Sequence, residues 1–177
     1  MYKRQASVKR AWLFCEVAKR MPEYEFYLVG QSQIEKDRNE EIMAPYRTGI
    51  PNLHFVGHLE GEEKFRRIRE AKILINTSIH EALPVTFLEA LACGTLLVSC
   101  QNPDGMTSRF GIYTGPVLGD GFDKVDLFVD AVRTLIKDEA RRKELSAAAC
   151  EYVKSVHGVG EFVRNTRRLI RETARRR

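Results

Sequence analysis

Amphipathic stretches alternate with short apolar runs along this chain. Apolar residues recur at helical spacing from Val8 to Met21, and Pro22 follows, which predicts a first helix ending there. Later stretches of the same kind predict helices at 34–46, 62–70, 84–93, 124–137, 139–154 and 159–173. The apolar runs predict strands at 26–30, 53–57, 72–76 and 95–99, with a shorter one near 111–112 amid loops spanning 101–123.

The order of these elements indicates the fold class. The run Ile73-Leu74-Ile75 is apolar on both faces, as in the interior of a parallel sheet. Strands that alternate with helices predict an α/β protein with a doubly wound parallel sheet. No repeat or linker-like tract divides the 177 residues, so we expect one domain.

The composition is that of a globular chain, with 44% hydrophobic and 30% charged residues. No apolar run approaches the roughly 20 residues that span a bilayer. The four cysteines form no Cys-x-x-Cys pair and no metal-ligand cluster, so we predict neither a disulfide framework nor a metal site.

The net charge of +5 is concentrated at the C-terminus, where seven arginines lie between 164 and 177. Such a segment binds nucleic acid or anionic lipid in some proteins and is the solvated face of a last helix in others. We favour the solvated face and expect no nucleic-acid partner.

The candidate chemistry lies where the predicted strands end, since doubly wound sheets bind ligands at the carboxyl ends of their strands. Gly30 and Gly57 end two strands, and the third runs into residues 76–78. Pro84 then opens a helix whose first N–H groups, at residues 85–87, are predicted to form a phosphate cradle. Glu81 precedes this helix and Glu89 lies inside it, placed to reach two parts of one ligand.

Seven residues separate Glu81 from Glu89, and Ala90-Leu91-Ala92-Cys93-Gly94 follows. This stretch resembles the E-x7-E signature of retaining glycosyltransferases of the GT-B fold, family 4. The units at 26–30, 52–57 and 71–75 match that family's nucleotide-sugar-binding domain in order and spacing. The resemblance covers nearly the whole chain and implies a Rossmann-like sheet, the C-terminal half of a GT-B enzyme.

The resemblance also implies roles for particular residues. Glu81 is the catalytic residue, contacting the transferred sugar and stabilising positive charge at its anomeric carbon, and Glu89 holds the donor ribose. A lysine on the leaving diphosphate stabilises charge as the bond breaks. We assign it to Lys3, with Arg4 and Lys9 as alternative registers. The other implied donor contacts are the backbone at Leu83, Val85 and Thr86, and Gly30, Val56, Gly57, His58 and Gly105.

Some features of the family are missing. The strand ending in Gly-Arg that precedes the lysine is not found, nor is an acceptor-binding N-terminal domain. Residues 1–177 are therefore expected to be a single donor-binding domain without its first strand. Residues 102–106 replace a Gly-Gly-x-Pro-Glu turn, and Ala82 stands where a glycine is usual.

The resemblance implies a retaining hexosyltransferase of polysaccharide biosynthesis, whose donor is a UDP-, GDP- or ADP-sugar. The acceptor is a hydroxyl of a glycan or lipid-linked molecule held by the missing domain. We expect no cofactor and no metal, a cytoplasmic location that includes peripheral association with the inner membrane face, and no activity from this segment alone. The alternatives are a sugar-nucleotide epimerase of GT-B architecture and a non-catalytic ligand- or nucleic-acid-binding α/β module that uses the arginine-rich end.

Overall fold

The computed structural model describes residues 7–30 and 39–174. Its strands are β1 (Phe26–Val29), β2 (Leu53–Gly57), β3 (Ile73–Asn76), β4 (Leu96–Ser99) and β5 (Gly111–Tyr113). Its helices are α1 (Ala11–Lys19), α2 (Asn39–Met43), α3 (Gly61–Glu70), α4 (Val85–Ala92), α5 (Met106–Arg109), α6 (Val125–Lys137), α7 (Glu139–Val156) and α8 (Val159–Ala174).

Every strand pair in the described residues is parallel, as predicted. β1 pairs with β2, with Phe26 opposite Leu53. β4 lies between β3 and β5, with Val98 opposite Ile75 on one side and Ile112 on the other. Within residues 7–30 and 39–174 no ladder joins β1 to β3, so the strands form a two-stranded and a three-stranded sheet.

Helices cover both faces of the sheet layer, and β4 shows how. Its residues are all buried, and their side chains alternate between two cores. Leu96 and Val98 belong to the core that includes residues of α1 and α6, whereas Leu97 belongs to the core formed with α4, α5 and α7. The predicted α/β doubly wound architecture is therefore confirmed.

The first helix differs from its prediction. Arg10 has a left-handed backbone (φ 47°), which separates a 3₁₀ turn at Ser7–Lys9 from α1. The Arg10 side chain is fully buried, and its guanidinium donates to the carbonyl oxygens of Thr77 (2.7 Å) and Val117 (2.9 Å). These tertiary bonds fix a conformation that helical periodicity alone does not predict.

Two other segments need correction. In the predicted helix 34–46, the described part is α2 followed by a 3₁₀ turn at Ala44–Tyr46, and residues 31–38 lie outside the described residues. The predicted loops at 101–123 also contain the short helix α5.

The last helix lies largely on the surface. α8 has no buried residue, and Val159, Phe162 and Ile170 are all more than half exposed. None of the helices in the described parts of the chain is long and apolar enough to cross a membrane.

Candidate functional site

A cavity of about 460 Å³ lies between β1 and β3. Apolar residues of both strands line its inner part, including Leu28, Ile73 and Ile75. Polar side chains gather with Gly30 where the strands end, and among them are Lys9, His58, Lys64, Asn76, Ser78, Glu81, Thr86 and Glu89. This is the sheet edge at which the sequence predicts ligand binding.

Glu81 lies in the turn after β3 and is held by three donors. Its Oε1 accepts a hydrogen bond from Ser78 Oγ (2.7 Å), a longer one from Asn76 Nδ2 (3.5 Å), and one from Lys9 Nζ. Burial raises the pKa of this carboxyl, but the hydrogen bonds from Lys9, Ser78 and Asn76 and the charge of Lys9 together outweigh burial and bring the pKa below its usual value. Glu81 is therefore an ionised side chain in a fixed position.

Glu89 lies on the inward face of α4 and pairs with a lysine of α3. Lys64 Nζ donates to Glu89 Oε1 at 2.7 Å, and the two side chains are only 19% and 15% exposed. The other oxygen, Oε2, is buried and has no hydrogen-bond partner in the described part of the chain. Buried polar atoms are nearly always paired, so this oxygen is available to a ligand.

The start of α4 is partly different from its prediction. Phe87 N–H donates to Pro84 O (2.9 Å), so it is not one of the free donors expected at residues 85–87. The N–H groups of Val85 and Thr86 remain at the open end of the helix, where the helix dipole favours an anion.

The predicted donor-binding residues divide into two groups. Gly30, His58 and Thr86 line the cavity together with Glu81 and Glu89. Leu83 and Val85 are exposed at the start of α4, and neither they nor Val56, Gly57 and Gly105 line the cavity. Gly105 adopts φ 70° in the turn before α5.

The lysine assigned to the donor diphosphate is not tested by the structure. Lys3 lies outside the described residues, so its assignment stays a prediction. Lys9, one of the alternative registers, is the lysine that contacts Glu81 in the cavity.

Sequence reasoning missed Lys64. The signal is its spacing from Ile68, four residues later on α3, which places both on one helix face. Both residues line the cavity, so a charged residue shares the inward face with an apolar one.

The described residues contain no group of three His, Cys, Asp or Glu side chains suited to holding a metal ion. The prediction that no cofactor is needed is untested and stays a prediction.

A family model described as "Glycosyl transferase-like" matches residues 4–167. The chain belongs to this family. The glycosyl transferase-like domain is similar to sucrose-phosphate synthase of Thermosynechococcus elongatus (TM-score 0.76, 20% identity, 98% of this chain and 44% of that chain). It is also similar to a glycosyltransferase of Rickettsia africae (0.73, 18%, 97% and 46%) and to Anabaena HepE in complex with UDP and glucose (0.67, 13%, 93% and 46%).

At these identities the likeness establishes the fold, which confirms the resemblance to GT-B glycosyltransferases. The glycosyl transferase-like chain spans less than half the length of each of these structures. No curated protein sequence matches it.

Proposed function

We propose that this domain binds the nucleotide-sugar donor of a retaining glycosyltransferase, with Glu89 on the ribose and Glu81 on the transferred sugar. One observation carries the proposal: two mostly buried carboxylates, from the turn after β3 and from α4, face one cavity, and each is paired with a lysine. A sugar nucleotide offers hydroxyls to the carboxylates and a diphosphate to Lys9.

The proposed chemistry uses groups already positioned in the cavity. The ionised Glu81 stabilises positive charge that develops at the anomeric carbon as the bond to the diphosphate breaks. Lys9, beside it, stabilises the negative charge on the leaving diphosphate. The acceptor hydroxyl attacks from the same face and gives its proton to the leaving phosphate, so the chain supplies no nucleophile.

Similar structures support a nucleotide sugar as the ligand. HepE is described with UDP-glucose, and a pneumococcal O-GlcNAc transferase is described with UDP and GlcNAc. We propose a UDP-sugar as the first donor to test, and a glycan or lipid-linked hydroxyl as the acceptor.

The test is calorimetric binding of UDP, GDP and ADP and of their hexose derivatives to the chain. Glu89→Ala is expected to weaken binding of the bare diphosphate about tenfold or more, because it removes a charged hydrogen-bond acceptor. Glu81→Ala is expected to leave the bare diphosphate bound and to remove the preference for the sugar-bearing form.

Glu139→Ala, which removes an exposed carboxylate on α7, is the matched control and should change neither affinity. Absence of binding to the unaltered chain at millimolar concentration of every nucleotide would overturn the proposed function.

A further inference from the structure

Two buried polar atoms in the described chain have no partner and face the same cavity. They are Glu89 Oε2 and Thr86 Oγ1. The residues are three apart on α4, so their side chains share one face of the helix. A helix face that carries an unpaired acceptor beside an unpaired hydroxyl is suited to a ligand that presents two neighbouring hydroxyls.

Lys64 breaks the symmetry of the Glu89 carboxylate. A free carboxylate offers two equivalent oxygens to a pair of hydroxyls, but Oε1 is already taken by Lys64 Nζ at 2.7 Å. Burial restrains this lysine, since its side chain is 19% exposed and its ammonium lies 4.9 Å from the centre of the Phe65 ring. Only Oε2 is then open to the ligand.

We propose that Lys64 is a positioning residue, because of which the two hydroxyls of the donor ribose contribute unequally to affinity. One ribose hydroxyl donates to Glu89 Oε2, and the other bonds Thr86 Oγ1. The inference rests on the proposed function, because the ribose supplies the two hydroxyls. To the residues of the proposed function it adds Lys64, which occupies one oxygen of Glu89, and the Thr86 side chain, which binds the second hydroxyl.

The inference predicts how affinity depends on each hydroxyl. The test compares the diphosphate that binds most tightly, starting with UDP, with its 2′-deoxy and 3′-deoxy forms. One deoxy form should lose about tenfold or more in affinity, because a hydrogen bond to a charged group is lost. The other should lose about fivefold or less, because its partner is the neutral Thr86 hydroxyl.

Substitutions separate positioning from a structural role. Lys64→Met frees Oε1 for the second hydroxyl, so the two deoxy forms should become equal within about twofold, since both hydroxyls then bond the carboxylate. Lys64→Arg, which keeps a donor, should restore the inequality. Thr86→Val should weaken the binding of UDP. It should not weaken the binding of the deoxy form that lacks the hydroxyl bound to Thr86. The inference would be overturned if the unaltered chain lost affinity equally for the two deoxy forms. It would also be overturned if their affinities stayed unequal in Lys64→Met.

A measurement without nucleotide distinguishes this inference from the proposed function. Unfolding by urea of Lys64→Met, Glu89→Gln and the double variant gives the coupling between the two side chains. We expect the unfolding constant of the double variant to differ by about fivefold or more from the value obtained by combining the effects of the two single variants. The exposed pair Lys143–Glu139 is the matched control and should be nearly additive.

Additivity at Lys64 and Glu89 would overturn the inference whatever the nucleotide does. Coupling without any nucleotide binding would count against the proposed function alone.

Discussion

The two glutamates of the cavity are each paired with a lysine, and this pairing explains how two carboxylates are buried close to one ligand site. Glu81 and Glu89 are both 15% exposed, so each unpaired charge would be costly. Lys9 and Lys64 offset that cost and leave the site without excess negative charge toward a diphosphate. The lysines therefore reduce the repulsion that an anionic ligand would meet beside two carboxylates.

Glu81 predicts a pH dependence of stability. Its pKa is lower in the folded chain, so its stabilising contribution is present above the unfolded pKa of about 4.3 and is lost as the pH falls through the folded pKa. The difference in free energy of unfolding between the unaltered chain and Glu81→Gln should be largest near neutral pH. Urea denaturation from pH 7 to pH 3 measures it.

The exposed Glu144→Gln serves as the control for this series, and its difference should stay nearly constant. A constant difference for Glu81→Gln as well would contradict the role assigned to Lys9 and Ser78.

Some residues that line the cavity can be predicted from the sequence, and others cannot. Glu81, Glu89 and the backbone of Thr86 are predicted from their positions around a helix that opens after a strand, whereas the Thr86 side chain is not. Lys64 is not predicted, because its partner lies 25 residues away on another helix. The contact of Lys9 with Glu81 is not predicted either, because a left-handed turn at Arg10, which no local pattern reveals, follows Lys9 directly.

Among the secondary-structure elements, the junction of β4 and β5 has no space for a side chain at Gly111. A Cβ added at Gly111 would lie 1.8 Å from the carbonyl oxygen of Leu97 on β4. A backbone atom cannot move away as the end of a side chain does. Only glycine therefore lets β5 pair with β4 in this register.

We expect Gly111→Ala to destabilise the chain by about 3 kcal/mol or more, the upper part of the range for overpacking. Gly160→Ala is the matched control, because its nearest neighbour outside the helix backbone is the end of the Arg164 side chain at 3.6 Å. That change should stabilise α8 slightly, since alanine is the better helix former. Thermal unfolding followed by circular dichroism measures both, and equal melting temperatures would contradict the packing described.

Element types were largely predictable, because each strand is an apolar run and most helices have clear periodicity. Element ends depended on tertiary contacts. The interruption at Arg10 arises from carbonyl groups of residues 77 and 117, which are remote in sequence.

For the molecule as a whole, the gap between its two sheets is the main feature. β1 and β3 each pair on one side only in the described residues. Ile73, Leu74 and Ile75 are only partly buried, whereas every residue of β4 is buried. The sequence predicts an inner strand at 73–75, and within residues 7–30 and 39–174 this strand pairs with β4 alone. Whether a further strand belongs there stays a prediction.

Strand edges of this kind pair with other edges, so we expect the chain to self-associate at high concentration. Ile75→Lys should weaken the association about tenfold or more, because pairing then brings like charges together. Sedimentation velocity over a concentration series measures it. Tyr113→Lys, on the outer strand β5, is the control, and an equal effect there would contradict association through the β3 edge.

The buried Arg10 also has a consequence for the order of folding during synthesis. Its guanidinium contacts carbonyl groups 67 and 107 residues later in the chain. Its charge cannot leave water favourably until those carbonyls exist, because a buried unpaired charge is strongly destabilising. The ribosome must therefore complete the chain to at least Val117 before the N-terminal turn docks and Lys9 reaches Glu81. The cavity is therefore assembled late, although Lys9 precedes the rest of its lining in the sequence.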